Sequence, residues 1–137
     1  RGLGDVYKRQ DAMKHFIEAL EKRVAQKRCV MIYPEAHIWP FYTDIRPFKD
    51  TSFRYPIQHN LPVFSMTNTY QKRRFSSKPK MVTYIDGPFY ADTSLPVRQQ
   101  KKMLRDLVYE TMKKRAKNNT VVCIRYEKVT EDSGEIL

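Results

Sequence analysis

No stretch of this chain approaches the ~18–20 consecutive apolar residues that a membrane-spanning helix needs. None shows the charged, apolar and small-residue order of a secretory signal. Whatever membrane the chain meets, it therefore meets at the surface. Cysteine is nearly absent: Cys29 and Cys123 stand alone, with no CxxC and no metal-ligand spacing. Both lie in apolar surroundings, RCVMI and VVCI, which predicts buried free thiols and suits a reducing compartment. Glycine is scarce too, and two of the four, Gly2 and Gly4, sit in the first few residues. There is no internal repeat. The RNP, KH and helix-turn-helix signatures of nucleic-acid binders are missing.

What is present points to a folded, basic domain. A length of 137 residues fits one domain with a real core, and 41% hydrophobic residues set the chain apart from disordered compositions. The formal net charge of +11 favours anionic partners: phospholipid headgroups, an acidic carrier protein or nucleic acid. Charge alone does not choose among them.

The opening ten residues, RGLGDVYKRQ, carry no clear period. They resemble a translated sequencing-adaptor scar, so residues 1–10 are expected to be non-native, with further protein sequence upstream. Arg1, Lys8 and Arg9 against Asp5 account for little of the charge, and the remainder is still strongly basic.

Residues 11–27 have the spacing of an amphipathic helix, with Met13, Phe16, Ile17, Leu20 and Val24 on one face and Asp11 as its cap. Lys22, Arg23, Lys27 and Arg28 load its C-terminal end, where the dipole favours cations. The run CVMIY at 29–33 predicts a strand buried on both faces, ended by Pro34. A loop rich in proline and aromatics covers 35–50 and holds Glu35, His37 and Arg46, placed after a strand as ligand contacts are in α/β proteins. A short helix is expected to about Asn60, capped by Asp50, Thr51 or Ser52. A strand follows at 61–69, then a basic connector at 70–80 and a strand at 81–86 closed by Gly87-Pro88. Residues 94–117 predict a second amphipathic helix, with Ser94 as cap and Leu104, Leu107, Val108, Thr111 and Met112 as its stripe. A last strand at 120–126 and a loose acidic tail at 130–137 complete the expectation.

Four blocks in this order resemble the glycerophospholipid acyltransferase family of the lysophosphatidate-acyltransferase type. Tyr33-Pro34-Glu35-Ala36-His37 stands where that family carries Phe-Pro-Glu-Gly-Thr-Arg. Pro47-Phe48-Lys49-Asp50-Thr51-Ser52-Phe53 matches Pro-Phe-Lys-Lys-Gly-Ala-Phe, and Leu61-Pro62-Val63-Phe64 matches its Val-Pro strand. Val82 to Pro88, VTYIDGP, is similar to the strand ending in Gly-Glu-Pro. The resemblance spans most of residues 11–117. Three departures stand out. The catalytic Asn-His-x4-Asp block, which lies upstream in the family, is absent: Leu20, Tyr42 and Phe64 follow His15, His37 and His59 at that spacing. The Thr-Arg after Pro-Glu-Gly is replaced by His37-Ile38, and the loop to Pro47 is unusually aromatic.

The resemblance implies an α/β domain, a mixed sheet with packed helices, lacking its N-terminal part. Residues 11–119 would be the C-terminal part of the acyltransferase domain, and 120–137 a last strand and tail. In such enzymes the histidine acts as general base on the acceptor hydroxyl, which attacks an acyl thioester. No cofactor or metal is implied; acyl-CoA or acyl-acyl carrier protein is the donor, and a lysophospholipid or glycerol phosphate the acceptor. Glu35 takes the place of the family glutamate that orients the glycerol or the loop. Arg46, with Lys49 as a second cation, is the expected phosphate contact in place of the missing arginine. His37 would add a hydrogen bond to the phosphate. Trp39, Phe41 and Tyr42 would touch acyl chain or membrane, or plug the core. The basic run Lys72, Arg73 and Arg74, with Lys78 and Lys80, would lie on anionic lipid, meet a carrier protein, or simply be solvated. The expected setting is peripheral, on the cytoplasmic face of a membrane, with this chain inactive by itself. Two other readings compete: a basic nucleic-acid-binding module, on the mixture of cations and aromatic in QKRRFSSKPK, and a non-catalytic interaction module that kept the fold. The ordered blocks argue against nucleic acid as the partner.

Overall fold

The computed structural model describes residues 3–128. They fall into two compact units, Arg1–Tyr33 and Pro34–Leu137.

The first unit is helix α1 (Leu3–Ala25) and the segment after it. The helix begins well before Asp11, inside the ten residues that lack a clear period. That stretch holds no proline, and each added residue brings its own backbone hydrogen bond, so the helix propagates through it. Its end is a Schellman motif. Lys27 holds φ 54; its N–H donates to Val24 O at 2.9 Å, and the Arg28 N–H donates to Arg23 O at 3.0 Å. Leu20 is buried and Ile17 and Val24 half-buried, whereas Met13 and Phe16 are exposed. Residues 29–33 do not form the expected strand. The run is apolar, but among the described residues no strand pairs with it. Both cysteines, expected to be buried, are exposed. Each was placed inside a strand that does not form.

The second unit contains a 3-10 turn (Thr51–Phe53), α2 (Arg54–Gln58), β1 (Val63–Gln71), β2 (Lys80–Phe89) and α3 (Val97–Ala116). The short helix and both strands lie where the sequence places them. Its sheet is a two-stranded antiparallel hairpin, not the larger mixed sheet expected, so the architecture is broadly α/β. β2 also runs through Gly87-Pro88 instead of ending there. A register irregularity between Val63 and Ser65 sits opposite Gly87, whose φ is 138. A Cβ there would lie 2.8 Å from both Val63 O and the Phe64 ring. Only glycine lets the two strands approach this closely.

α3 organises the unit. Gln100, Leu104, Val108, Met112 and Ala116, four apart, are its buried face. Leu107, expected in the stripe, is exposed, and Thr111 is half-buried. The apolar members pack with Ile45, Phe48 and Phe53. Phe48 stacks on Phe53 at 6.1 Å and meets Tyr109 edge-on at 5.5 Å. Ser94 does not cap the helix. It bonds Asp92 through its N–H and hydroxyl, and Pro96 occupies the N-cap. On the hairpin, the face carrying Ser65, Thr67 and Thr69 is buried, and the opposite face exposes Phe64, Met66, Met81 and Ile85.

Polar fasteners tie α3 to the rest. Arg105 donates to Phe48 O at 3.1 Å, and Lys113 pairs with Asp44 at 2.7 Å. Arg115 grips both oxygens of Asp86 at 2.9 and 2.7 Å while lying over the Tyr84 ring. Asn119 joins three segments: it donates to Thr43 O and Ala116 O and accepts from Tyr70 N–H. That last bond removes the expected strand at 120–126. A third strand would need the Tyr70 N–H that Asn119 already holds. Only Thr120 and Val121 reach β1, both donating to Tyr70 O. The acidic tail expected at 130–137 lies outside the described residues. Among the described residues, no helix is long and apolar enough to cross a membrane.

This packing sets two measurable expectations. Leu104 is 2% exposed, so Leu104→Ala is expected to cost about 2–5 kcal/mol. Leu107→Ala should change stability by only about 0.5 kcal/mol, since exposed sites rarely matter more. Urea unfolding of both variants checks the contrast. The hydrogen bonds from Arg115 hold the Asp86 carboxyl below its ordinary value. Burial raises that of Asp44, but the Lys113 and Ile45 hydrogen bonds together bring it lower. A depressed carboxylate stabilises fully above its unfolded value near pH ~3.9 and loses that contribution as pH falls through the lower folded value. Asp86→Asn should therefore flatten the acid limb of a stability–pH profile. An unchanged slope below about pH 4 would show the pair contributes nothing.

Candidate functional site

The loop from Pro34 to Asp50 is organised from its end backwards. Ile45 and Phe48 are buried in the core beneath α3, which anchors the chain on either side of Arg46. Arg46 then gathers the loop. Its backbone N–H donates to Glu35 Oε2 at 2.9 Å, and its Nε lies 3.5 Å from the same oxygen. Its Nη2 donates to the carbonyls of Glu35 and His37. The guanidinium lies over the Trp39 ring, 4.3 Å from its centre. The Arg46 side chain is 17% exposed. Nη1 makes no hydrogen bond among the described residues.

This grip holds a strained turn. Ala36 has φ 65, and the His37 N–H donates to Glu35 O at 2.8 Å, a γ-turn closed on a left-handed residue. Phe41 also holds φ 58, and the Tyr42 N–H donates to Trp39 O. Such conformations cost roughly 1–2 kcal/mol for a residue with a side chain. The one at Ala36 persists because Arg46 fixes the carbonyls on either side of it.

The expected site residues divide into groups. Glu35, Arg46, the His37 backbone and Trp39 meet directly. The His37 side chain is exposed, and no hydrogen bond or ion pair involves its ring among the described residues. Lys49 is exposed and forms no ion pair among the described residues. Tyr42 and Trp39 enclose Tyr126, which stacks on Trp39 at 5.2 Å and donates its hydroxyl to Pro40 O. Phe41 turns instead to Tyr70, 5.3 Å away. Lys72, Arg73 and Arg74 sit on the turn between β1 and β2, separate in sequence from the loop.

Some residues were not anticipated. Tyr126 completes the aromatic cluster from a segment expected as a strand. A shallow depression of about 360 Å³ is lined by Thr43, Asp44, Lys113, Ala116 and Lys117. Its ion pair, Lys113 with Asp44, joins a loop to a helix far along the chain, so no local spacing announces it. Among the described residues, no cluster of His, Cys, Asp and Glu could hold a metal ion.

Arg46→Lys tests the organising role. A lysine keeps the charge but cannot span Glu35 and two carbonyls at once. The expected loss is about 1.5–3 kcal/mol, typical of hydrogen bonds to charged groups. Trp39 is the sole tryptophan, so its emission reports the loop directly. An unaltered spectrum and unfolding midpoint would exclude the role. No known protein family matches this chain, and no curated protein or solved structure does so either.

Proposed function

We propose that this chain forms the acceptor-binding part of a glycerophospholipid acyltransferase, working at a membrane surface. The observation that carries the reading is Ala36. It stands where the resembling family has glycine, and it adopts φ 65, a conformation that favours glycine. The Glu35 beside it holds Arg46, the cation that this reading assigns to the acceptor phosphate. The hairpin face of Phe64, Met66, Met81 and Ile85 is apolar as well as exposed, which suits a surface that meets a partner or a membrane.

In this reading Glu35 orients Arg46, and Nη2 is spent on the carbonyls of Glu35 and His37. Nη1, which has no hydrogen-bond partner among the described residues, would meet the acceptor phosphate, with Lys49 as a nearby cation in sequence. Fixing the guanidinium beforehand lowers the ordering cost when a phosphate binds. Trp39 would lie beside the headgroup and feel its arrival. The general base is not among the residues of this chain, because no histidine is followed by Asp at the required spacing. Acyl transfer by this route therefore needs an Asn-His-x4-Asp block contributed from outside the sequence at hand. The donor is a thioester of CoA or acyl carrier protein, the acceptor a lysophospholipid or glycerol phosphate.

The test has two parts. Glycerol 3-phosphate titrated into the chain should change Trp39 emission saturably, and Arg46→Gln should weaken this by roughly tenfold or more, for the loss of a charge-assisted bond. Absence of a saturable change, or equal binding by a folded Arg46→Gln variant, would overturn the assignment of the site. Reading the coding DNA upstream of Asp11 tests the enzyme claim. An Asn-His-x4-Asp block there supports acyl transfer, and a start codon near Asp11 removes it.

A further inference from the structure

The turn joining β1 to β2 carries a charge pattern that acceptor binding does not use. Residues 72–78 are all exposed. Lys72, Arg73, Arg74 and Lys78 lie in this turn, and Lys80 opens β2. None of the five forms an ion pair among the described residues. No Asp or Glu occurs from Thr51 to Ile85, so no nearby position in sequence offsets them. At the centre stands Phe75, 91% exposed, with Arg74 over its ring at 5.3 Å. An aromatic ring this exposed gains nothing from the fold that carries it. The turn is also held in place: the Lys72 N–H donates to Thr120 Oγ1 at 2.8 Å, and the strands next to it pair in unbroken register from Ser65 to Gln71.

We infer that this hairpin tip is a docking element for an anionic lipid surface, with Phe75 inserted at the interface and Lys72, Arg73, Arg74, Lys78 and Lys80 on the lipid phosphates. The inference rests on the peripheral setting proposed above but not on acyl transfer. A fully exposed tip with one aromatic and five cations offers no groove and no series of stacking rings, which single-stranded nucleic acid would need. A bilayer surface asks for neither. It supplies negative charge at the headgroups and, just below, a medium that accepts a ring. Each basic residue close to such a surface multiplies binding roughly fivefold.

The experiment is flotation of the full chain with phosphatidylcholine vesicles, with and without phosphatidylserine. Binding is expected only with phosphatidylserine and should fall as salt rises. The combined Lys72→Ala, Arg73→Ala and Arg74→Ala variant should bind on the order of a hundredfold more weakly, following the fivefold factor per cation. These side chains are exposed, so circular dichroism should show the fold intact. A Phe75→Trp variant should add a component to the emission that shifts to the blue and is quenched by brominated lipid, beyond any change from Trp39. Equal binding to neutral vesicles, full binding by the triple variant, or emission from the introduced tryptophan that stays water-like would each overturn the inference. So would a preference for single-stranded DNA or an acidic carrier protein over the charged vesicles. Because no acyl donor is present, failure of the acyl-transfer reading leaves this outcome unaffected, and the reverse also holds.

Discussion

Burial of one stripe of α3 is the constraint on which the second unit depends. A two-stranded hairpin is marginal in water by itself and needs a helix or further strands over one face. Leu104, Val108, Met112 and Ala116 meet that need, and they also close over Ile45, Phe48 and Phe53. Burying each large apolar side chain is worth roughly 1.5–3 kcal/mol, so this small set carries much of the stability. The cations of the same helix then select the arrangement. Arg105 reaches the loop at Phe48, Lys113 reaches Asp44, and Arg115 reaches β2 at Asp86. Apolar burial supplies the drive, and these directional bonds fix how helix, loop and strand sit together.

The candidate site inherits its order from that packing. Ile45 and Phe48 are held by the core, and Arg46 between them can hold a loop containing two left-handed non-glycine residues. Strain at Ala36 is thus offset by bonds from one guanidinium. A site built this way has little left to arrange when a ligand arrives. The hairpin tip makes the opposite use of charge. Among the described residues its cations have no ion-pair partner, and its ring meets only Arg74.

Elements with strong local signals were legible in the chain. The helix over 94–117 and the strands over 61–69 and 81–86 lie within a few residues of their expected positions, because their side-chain periods and flanking prolines act locally. Other expectations depended on a partner. The run at 29–33 looks like a buried strand, yet apolar character records a preference for burial and not the presence of a neighbour. The same holds for 120–126, where the Asn119 side chain takes the backbone group a strand would have used. Both cysteines are exposed for this reason. Leu107 likewise fits the helical stripe by spacing but falls just outside the face that the core covers. Of the site, Glu35, Arg46 and Trp39 were identifiable as residues, but their mutual contact was not.

By itself, the sequence determined the chemical character of this protein: strongly basic, without a membrane-spanning run, with helix and strand periods in a set order and an aromatic, charged loop after Pro34. These properties follow from residue types and short spacings, which act within a few turns or a single strand. Only the tertiary structure decided that Arg46 is held by Glu35 over Trp39, that Tyr126 closes on the same ring, and that Lys113 and Arg115 find Asp44 and Asp86. Those partners are distant in sequence, and whether two side chains meet depends on how α3 seats on the hairpin. That seating is a property of the whole packed unit and leaves no local pattern.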